Sequence, residues 1–390
     1  GGATTINVLD MMISTSGAGS AGMIFESDEL FAGLYTDMAA TVTTLGDDAP
    51  GIVFGEVGAD ASLIAFDFRM TITTEGDRSA GFVHGGLTRF AGDDDIGSFS
   101  GTAGFDIDVT TRGDDAPGAL FNTFQDGADR AEIVAIGYDF SANTSGDRSP
   151  GVVIGDPSGA RANIIGSSFQ MTVESANVTT SGADSTGFFF SPWTAGAVDS
   201  IFAAVFDDIN VATSGVNSHG IVLGQDLGAD GLVNTEIVLT GGKFVSTTSG
   251  VDSIGLSLGG VGTLDGQPRS YAFQNVNVAT TGDEAVGVLV GGVGALLNGA
   301  TSSIILEDFT VSTSGTLAHG MVLGAGLGRV PDAGDPNNDI VLRNIASTTT
   351  GEGAAALVIG GNSDVAPTAS TFTASGTDAH GVLVELEADQ

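Results

Sequence analysis

A glycine pair, G-x4-G, organises the whole 390-residue chain, because its first glycine recurs twelve times in one local frame. These first glycines are Gly17, Gly46, Gly76, Gly113, Gly146, Gly182, Gly215, Gly250, Gly282, Gly315, Gly351 and Gly376, spaced 25 to 37 residues apart. The second glycine follows five residues later in eleven copies, with Ala356 the exception. Threonine stands two residues before the first glycine in eleven copies, Ala374 being the exception, and the third residue after it is always Ser or Ala. A period of this kind means one supersecondary unit stacked on itself, a body whose length is not limited by the size of a globular core. Residues 1–390 are therefore expected to form a single continuous solenoid domain.

Inside each unit the hydrophobic period is two. FRMTITT (68–74) and VNVATT (276–281) alternate apolar and polar side chains, which marks half-buried strands. A turn such as GDRSA or GDEAV follows, then a short apolar run such as GIVLG from Gly220 or GVLVGG from Gly287. A glycine-rich loop of variable length then leads to another strand, for example SIILED from Ser303. The expected fold is all-β: a parallel β-solenoid with three strands per coil, a right-handed β-helix of about twelve rungs of roughly 33 residues. A β-propeller is the rival, but twelve blades exceed the usual four to eight. The first glycine is expected at positive φ, the Ser or Ala inside the corner, and the threonines stacked hydroxyl beside hydroxyl between rungs. Phe68, Phe105, Phe140 and Phe309 read as core.

The repeated T-T-S-G-D-x-S-x-G-V pattern, as in TSGDRSPGVVIG from Thr144, resembles the β-helical passenger regions of bacterial autotransporters and related secreted surface and fibre proteins. The likeness runs through nearly the whole chain. It implies an extracellular or bacterial cell-surface location and a role in adhesion or fibre formation, and it assigns no functional residues.

Charge narrows the partners. Asp and Glu number 48 against 11 Lys and Arg, a net charge of -37. Such a body repels nucleic acid and anionic headgroups, so neither is expected as a partner. It also repels itself unless salt or bound cations screen it, which suits a salty or calcium-containing exterior. The absence of cysteine excludes disulfides, thiolate metal sites and cysteine nucleophiles. No run of 18 apolar residues occurs, so no membrane insertion of this segment as a helix is expected.

Acidic residues recur at the turn, among them Asp47, Asp77, Asp114, Asp147, Asp184, Asp252, Asp283 and Asp378. Turn preference alone accounts for this recurrence. The sharper alternative is a carboxylate ladder that takes calcium between rungs, with Asp47, Asp77, Asp114 and Asp147 as candidate ligands. No cofactor is otherwise required. GEVGADA (55–61) and DLGADG (226–231) faintly echo glycine-aspartate calcium repeats. Arg78 and Arg148 share one turn slot and are expected to pair with acids on neighbouring rungs. His219, His319 and His380 each precede the second glycine, but on separated rungs, so no metal site is expected from them; His84 sits on an apolar strand. Threonine pairs such as Thr41 with Thr43 raise ice binding, yet Asp108, Asn177 and Asn277 interrupt the array. No compact acid/base cluster emerges, and the chain is not expected to be an enzyme.

Two features point to assembly. The short apolar strand is hydrophobic on both faces, so one face fills the core while the other makes a stripe along the body. Its outward candidates are Val53, Val153, Val222, Leu289, Val322, Val358 and Leu383, covered either by the chain's own loops or by another subunit. Strand-like sequence also begins by Thr5, and GVLVELEADQ closes the sequence directly after a strand, so native ends here would invite head-to-tail stacking. The expected function is an extracellular structural subunit that partners itself in a surface filament, appendage or sheath. Cell-surface or matrix components are further expected partners. The alternatives are a monomeric adhesin passenger and, behind it, a glycan-cleaving enzyme.

Overall fold

The computed structural model describes residues 4–7, 10–25, 32–36, 38–54, 62–65, 68–84, 98–122, 132–155, 165–191, 198–224, 235–259, 269–291, 303–324, 340–360 and 365–385. All regular structure among them is strand. Each strand pairs in parallel with the equivalent strand one repeat away, as Ile201–Thr213 does with Ser168–Thr180 and Val286–Val290 with Ile254–Leu258. The protein is a parallel β-solenoid. Among the described residues one sheet has 17 strands; a second, built from the short apolar run, has 12 in strict sequence order.

The long strands turn a corner without breaking. In Ser168–Thr180, Phe169, Met171 and Val173 are buried, then Ala176, Val178 and Thr180. The spacing of three between Val173 and Ala176 slips the period-2 pattern by one residue, so Glu174 and Ser175 both stay out of the core. Ile201–Thr213 repeats this with Phe206, Asp207–Asp208 and Ile209. Further along, Asn275, Asp308 and Asn344 hold the same corner in the left-handed region, at φ of 55, 56 and 53°. Asn and Asp tolerate that region better than other residues with a side chain. The corner splits the long strand into two sides, and the short strand supplies the third.

The expectation of about twelve rungs is corrected to about seven full turns of some 33 residues. Among the described residues, seven coils carry an unbroken long strand of 11 to 14 residues, from Ser98–Thr111 through Ser303–Thr313. In the later flanking coils the same path is cut in two, as Ile340–Arg343 and Ala346–Thr349, and again as Val365–Thr368 and Thr371–Ala374.

The core is a column of aromatic and branched side chains. Phe188, Phe190, Phe202, Phe206, Phe244 and Phe273 are all essentially inaccessible. Phe105 stacks on Tyr138 at 4.4 Å, and Phe190 meets Phe206 edge-on at 5.0 Å. These offset and edge geometries add to the burial that drives stacking. Phe105, Phe140 and Phe309 are core as expected; the Phe68 side chain lies outside the described residues.

Two expectations about the turn are overturned. Positive φ falls two residues after the first glycine, on Asp48, Arg78, Asp115, Arg148 and Asp184, and among the described first glycines only Gly315 adopts it. The glycine is required by proximity instead. A Cβ at Gly146 would overlap the Gly113 carbonyl of the preceding coil, and one at Gly182 would overlap that of Gly146. The threonines do not bond one another either. Thr44, Thr74, Thr111 and Thr144 are buried, and each hydroxyl donates across its own turn to the carbonyl five residues on, at 2.6 to 2.8 Å. A buried hydroxyl takes the acceptor within reach, and the tight turn brings one there.

Candidate functional site

The turn edge is the first place where candidate residues are brought together. Asp47, Asp77, Asp114 and Asp147 stack in one column. Oδ1 of each accepts the backbone N–H of the next coil: Asp77 onto Asp47 at 3.0 Å, Asp114 onto Asp77 at 3.0 Å, Asp147 onto Asp114 at 2.9 Å and Ala183 onto Asp147 at 2.8 Å. Asp283 receives Thr316 in the same way at 2.7 Å. Each carboxylate thus satisfies an amide that the turn would otherwise leave bare. This accounts for aspartate at the position by structure alone. Among the described residues no group of three or more His, Asp or Glu is arranged to hold a metal ion. The GEVGADA and DLGADG segments lie outside the described residues.

The next turn position carries alternating charge. Arg78 makes a two-pronged pair with Asp48, and Arg148 with Asp115, at 2.6 to 2.8 Å. The guanidinium hydrogen bond holds the Asp48 and Asp115 carboxyls below their usual range. Both pairs are solvent-exposed, so they fix register more than they stabilise. Asn217 continues the column, donating to Asp184 at 2.7 Å. Lys243, the single lysine, pairs with Asp208 at the long-strand corner, 2.7 Å away.

Behind this edge runs a serine ladder. Ser149 Oγ accepts the N–H of Ala116 and donates towards the Gly113 carbonyl, while its own N–H reaches Ser185 Oγ at 2.9 Å. The small residue expected inside the corner is therefore also a link between coils.

The histidines stay on separate coils, as their spacing requires. His84 is buried in Phe82–His84, and burial lowers its pKa to about 4 against a smaller opposing hydrogen bond with the Asn122 backbone. His219 and His319 have a role the sequence reading missed. Nδ1 of His219 accepts the N–H of Ile254 at 3.1 Å, and Nδ1 of His319 accepts that of Ala355 at 3.0 Å. His380 is exposed.

The outward column of the short-strand sheet is the second place. In register it runs Ile24, Val53, Val83, Leu120, Val153, Phe189, Val222, Ser257, Leu289, Val322, Val358 and Leu383. Ser257 is its one polar member. Val153 and Val358 are only 1% and 5% exposed in the single chain, and Phe189 7%. The chain itself covers the stripe there. Val53, Val222, Leu289, Val322 and Leu383 remain half-buried, and Ile24 is 54% exposed.

The outward column of the long strands is polar by contrast, passing through Thr41, Thr71, Asp108, Ser141, Asn177 and Asn210, so no continuous threonine array forms. Gly241 and Gly242 open a groove of 360 Å³ lined by Val205, Ala272 and Ile305 together with Asp207, Gln274 and Glu307. Asp207 and Glu307 lie three coils apart, about 14 Å at the spacing of paired strands. That exceeds the roughly 5 to 9.5 Å at which two carboxylates share glycoside hydrolysis. No protein-family model, no curated protein and no solved structure matches the chain.

Proposed function

We propose that the chain is an extracellular structural subunit whose solenoid associates with copies of itself into a bacterial surface filament, appendage or sheath. The observation that carries this reading is the outward column of the short-strand sheet, apolar at every position but Ser257. A sheet face turned to water ordinarily alternates to polar side chains, and a row of neighbours about 4.8 Å apart makes a continuous stripe. Val53, Val222, Leu289 and Val322 supply the part of it that the chain leaves half-open. The repeat's likeness to autotransporter passengers supports the location, and the -37 charge fits a medium where salt or divalent cations screen it. The turn carboxylates and serines are spent on joining coils.

Sedimentation velocity across a salt series tests the proposal. With charge screened at about 0.5 M salt, the wild type is expected to run well above the 38.8 kDa monomer. Val222→Asp with Leu289→Asp is expected to return it to monomer with an unchanged β spectrum. A strict monomer at every salt and calcium concentration sinks self-association and favours the monomeric adhesin.

A further inference from the structure

Five consecutive junctions of the short-strand sheet share one demand. From Ile254 onward, the residue before the second glycine points its N–H back at the preceding coil. Three of these amides find a carbonyl: Val286 bonds Ser253 O at 3.0 Å, His319 bonds Ala285 O at 2.9 Å and His380 bonds Ala354 O at 2.9 Å. At the other two junctions the corresponding carbonyl is already engaged. Ser218 O accepts the Thr213 hydroxyl, and Ala318 O accepts those of Thr313 and Thr349. It is there that an imidazole takes the amide, His219 for Ile254 and His319 for Ala355.

We propose that His219 and His319 are acid-labile clasps, each replacing a missing backbone acceptor at one junction and releasing that junction when protonated. An accepting Nδ1 requires the neutral ring with its proton on Nε2. Protonation turns Nδ1 into a donor, sets two N–H groups against each other and leaves the Ile254 or Ala355 amide without a partner. An amide left without a partner in this part-buried setting is costly.

The charged surroundings differ at the two sites. Asp184, on the coil before His219, draws the ring towards protonation and is itself held by Asn217, while burial has the larger effect and lowers the His219 pKa. On the following coil Asp252 is the nearest acid in sequence to Ile254. By position in the turn, His319 has Asp283 and Glu284 on the coil before it and Glu352 on the coil after. A lowered folded pKa means the unfolded chain takes the proton first. Stability from the His219 clasp is therefore full above the ordinary histidine value of 6.5 and falls as pH drops below it.

Residue-resolved amide exchange on the full chain tests this, with rates corrected for the intrinsic pH dependence. Between pH 7.5 and pH 5, protection at Ile254 and Ala355 is expected to fall roughly tenfold, while that at Val286 and His380, bonded to carbonyls, holds. His219→Asn with His319→Asn supplies a non-titrating acceptor and is expected to abolish the drop. Unchanged protection at Ile254 and Ala355, or an equal loss at all four amides, overturns the clasp. The wild-type comparison decides even if the variant does not fold.

Discussion

The two halves of the short-strand sheet are built from one repeat and hydrogen-bond in opposite senses. From Met23–Phe25 to Ile221–Leu223 the strands are three or four residues long; from Ile254–Leu258 onward they are five or six. In the first half the second glycine donates forward, as Gly51 does to Ala80 O and Gly118 to Pro150 O. In the second half the preceding residue donates backward, as Val286 does to Ser253 O. Proline before the second glycine is confined to the first half. Pro50, Pro117 and Pro150 have no N–H to give, whereas Ile254 and Val286 are β-branched and extend the strand by two residues. The turn feels the switch. Once Ser253 O faces the next coil, Thr248 Oγ1 has no partner, and Thr280 Oγ1 is left likewise where Ala285 O has turned.

What both halves share is expected to give the largest effect. Gly146→Ala and Gly282→Ala each drive a Cβ into the carbonyl of the preceding coil. Each is expected to cost about 4 kcal/mol or more in denaturant unfolding, with no difference between halves. A mild loss in either would mean that the coils can part to admit a methyl group.

His84, in the first half only, comes next. Its folded pKa of about 4 lies below the unfolded value of 6.5, so its stabilising effect is full above pH 6.5 and lost as pH falls towards 4. The loss amounts to roughly 3 kcal/mol. His84→Phe is expected to flatten that part of the stability–pH curve, read by urea midpoints at pH 4.5 and 7. A smaller effect is expected at Ser149→Ala. It removes the Oγ that receives the Ala116 amide, at a cost of about 1 to 3 kcal/mol. Beyond Ser253, which still receives the Ser218 amide, the equivalent residues are Ala285, Ala318 and Ala354, so the serine ladder ends there.

Much of this architecture is legible in the residues. The strand 68–74 has the bounds its alternation gives, and Phe105, Phe140 and Phe309 are buried. Arg78 and Arg148 pair across coils from their shared slot. Periodicity reports which face a side chain takes, and so it locates core and stripe. It does not report which way a carbonyl points, because both senses leave the side-chain pattern unchanged. That is why the threonine acceptors, the glycine φ and the two imidazole contacts were not legible. Nor could the pattern distinguish Val153 from Val222: both are outward, but one is covered by the chain and the other is half-open. The count of full turns failed for a related reason, since the glycine frame repeats even where the long strand is interrupted, as between Arg343 and Ala346.

That the junctions of the second half depend on a backward N–H which those of the first half do without is tested most directly by placing proline in each half. Thr186→Pro puts proline where Pro50, Pro117 and Pro150 already stand, and is expected to change unfolding stability by less than about 0.5 kcal/mol. Val286→Pro deletes the donor to Ser253 O and is expected to cost about 3 kcal/mol. Equal losses at the two positions, or a tolerated Val286→Pro, would contradict the account.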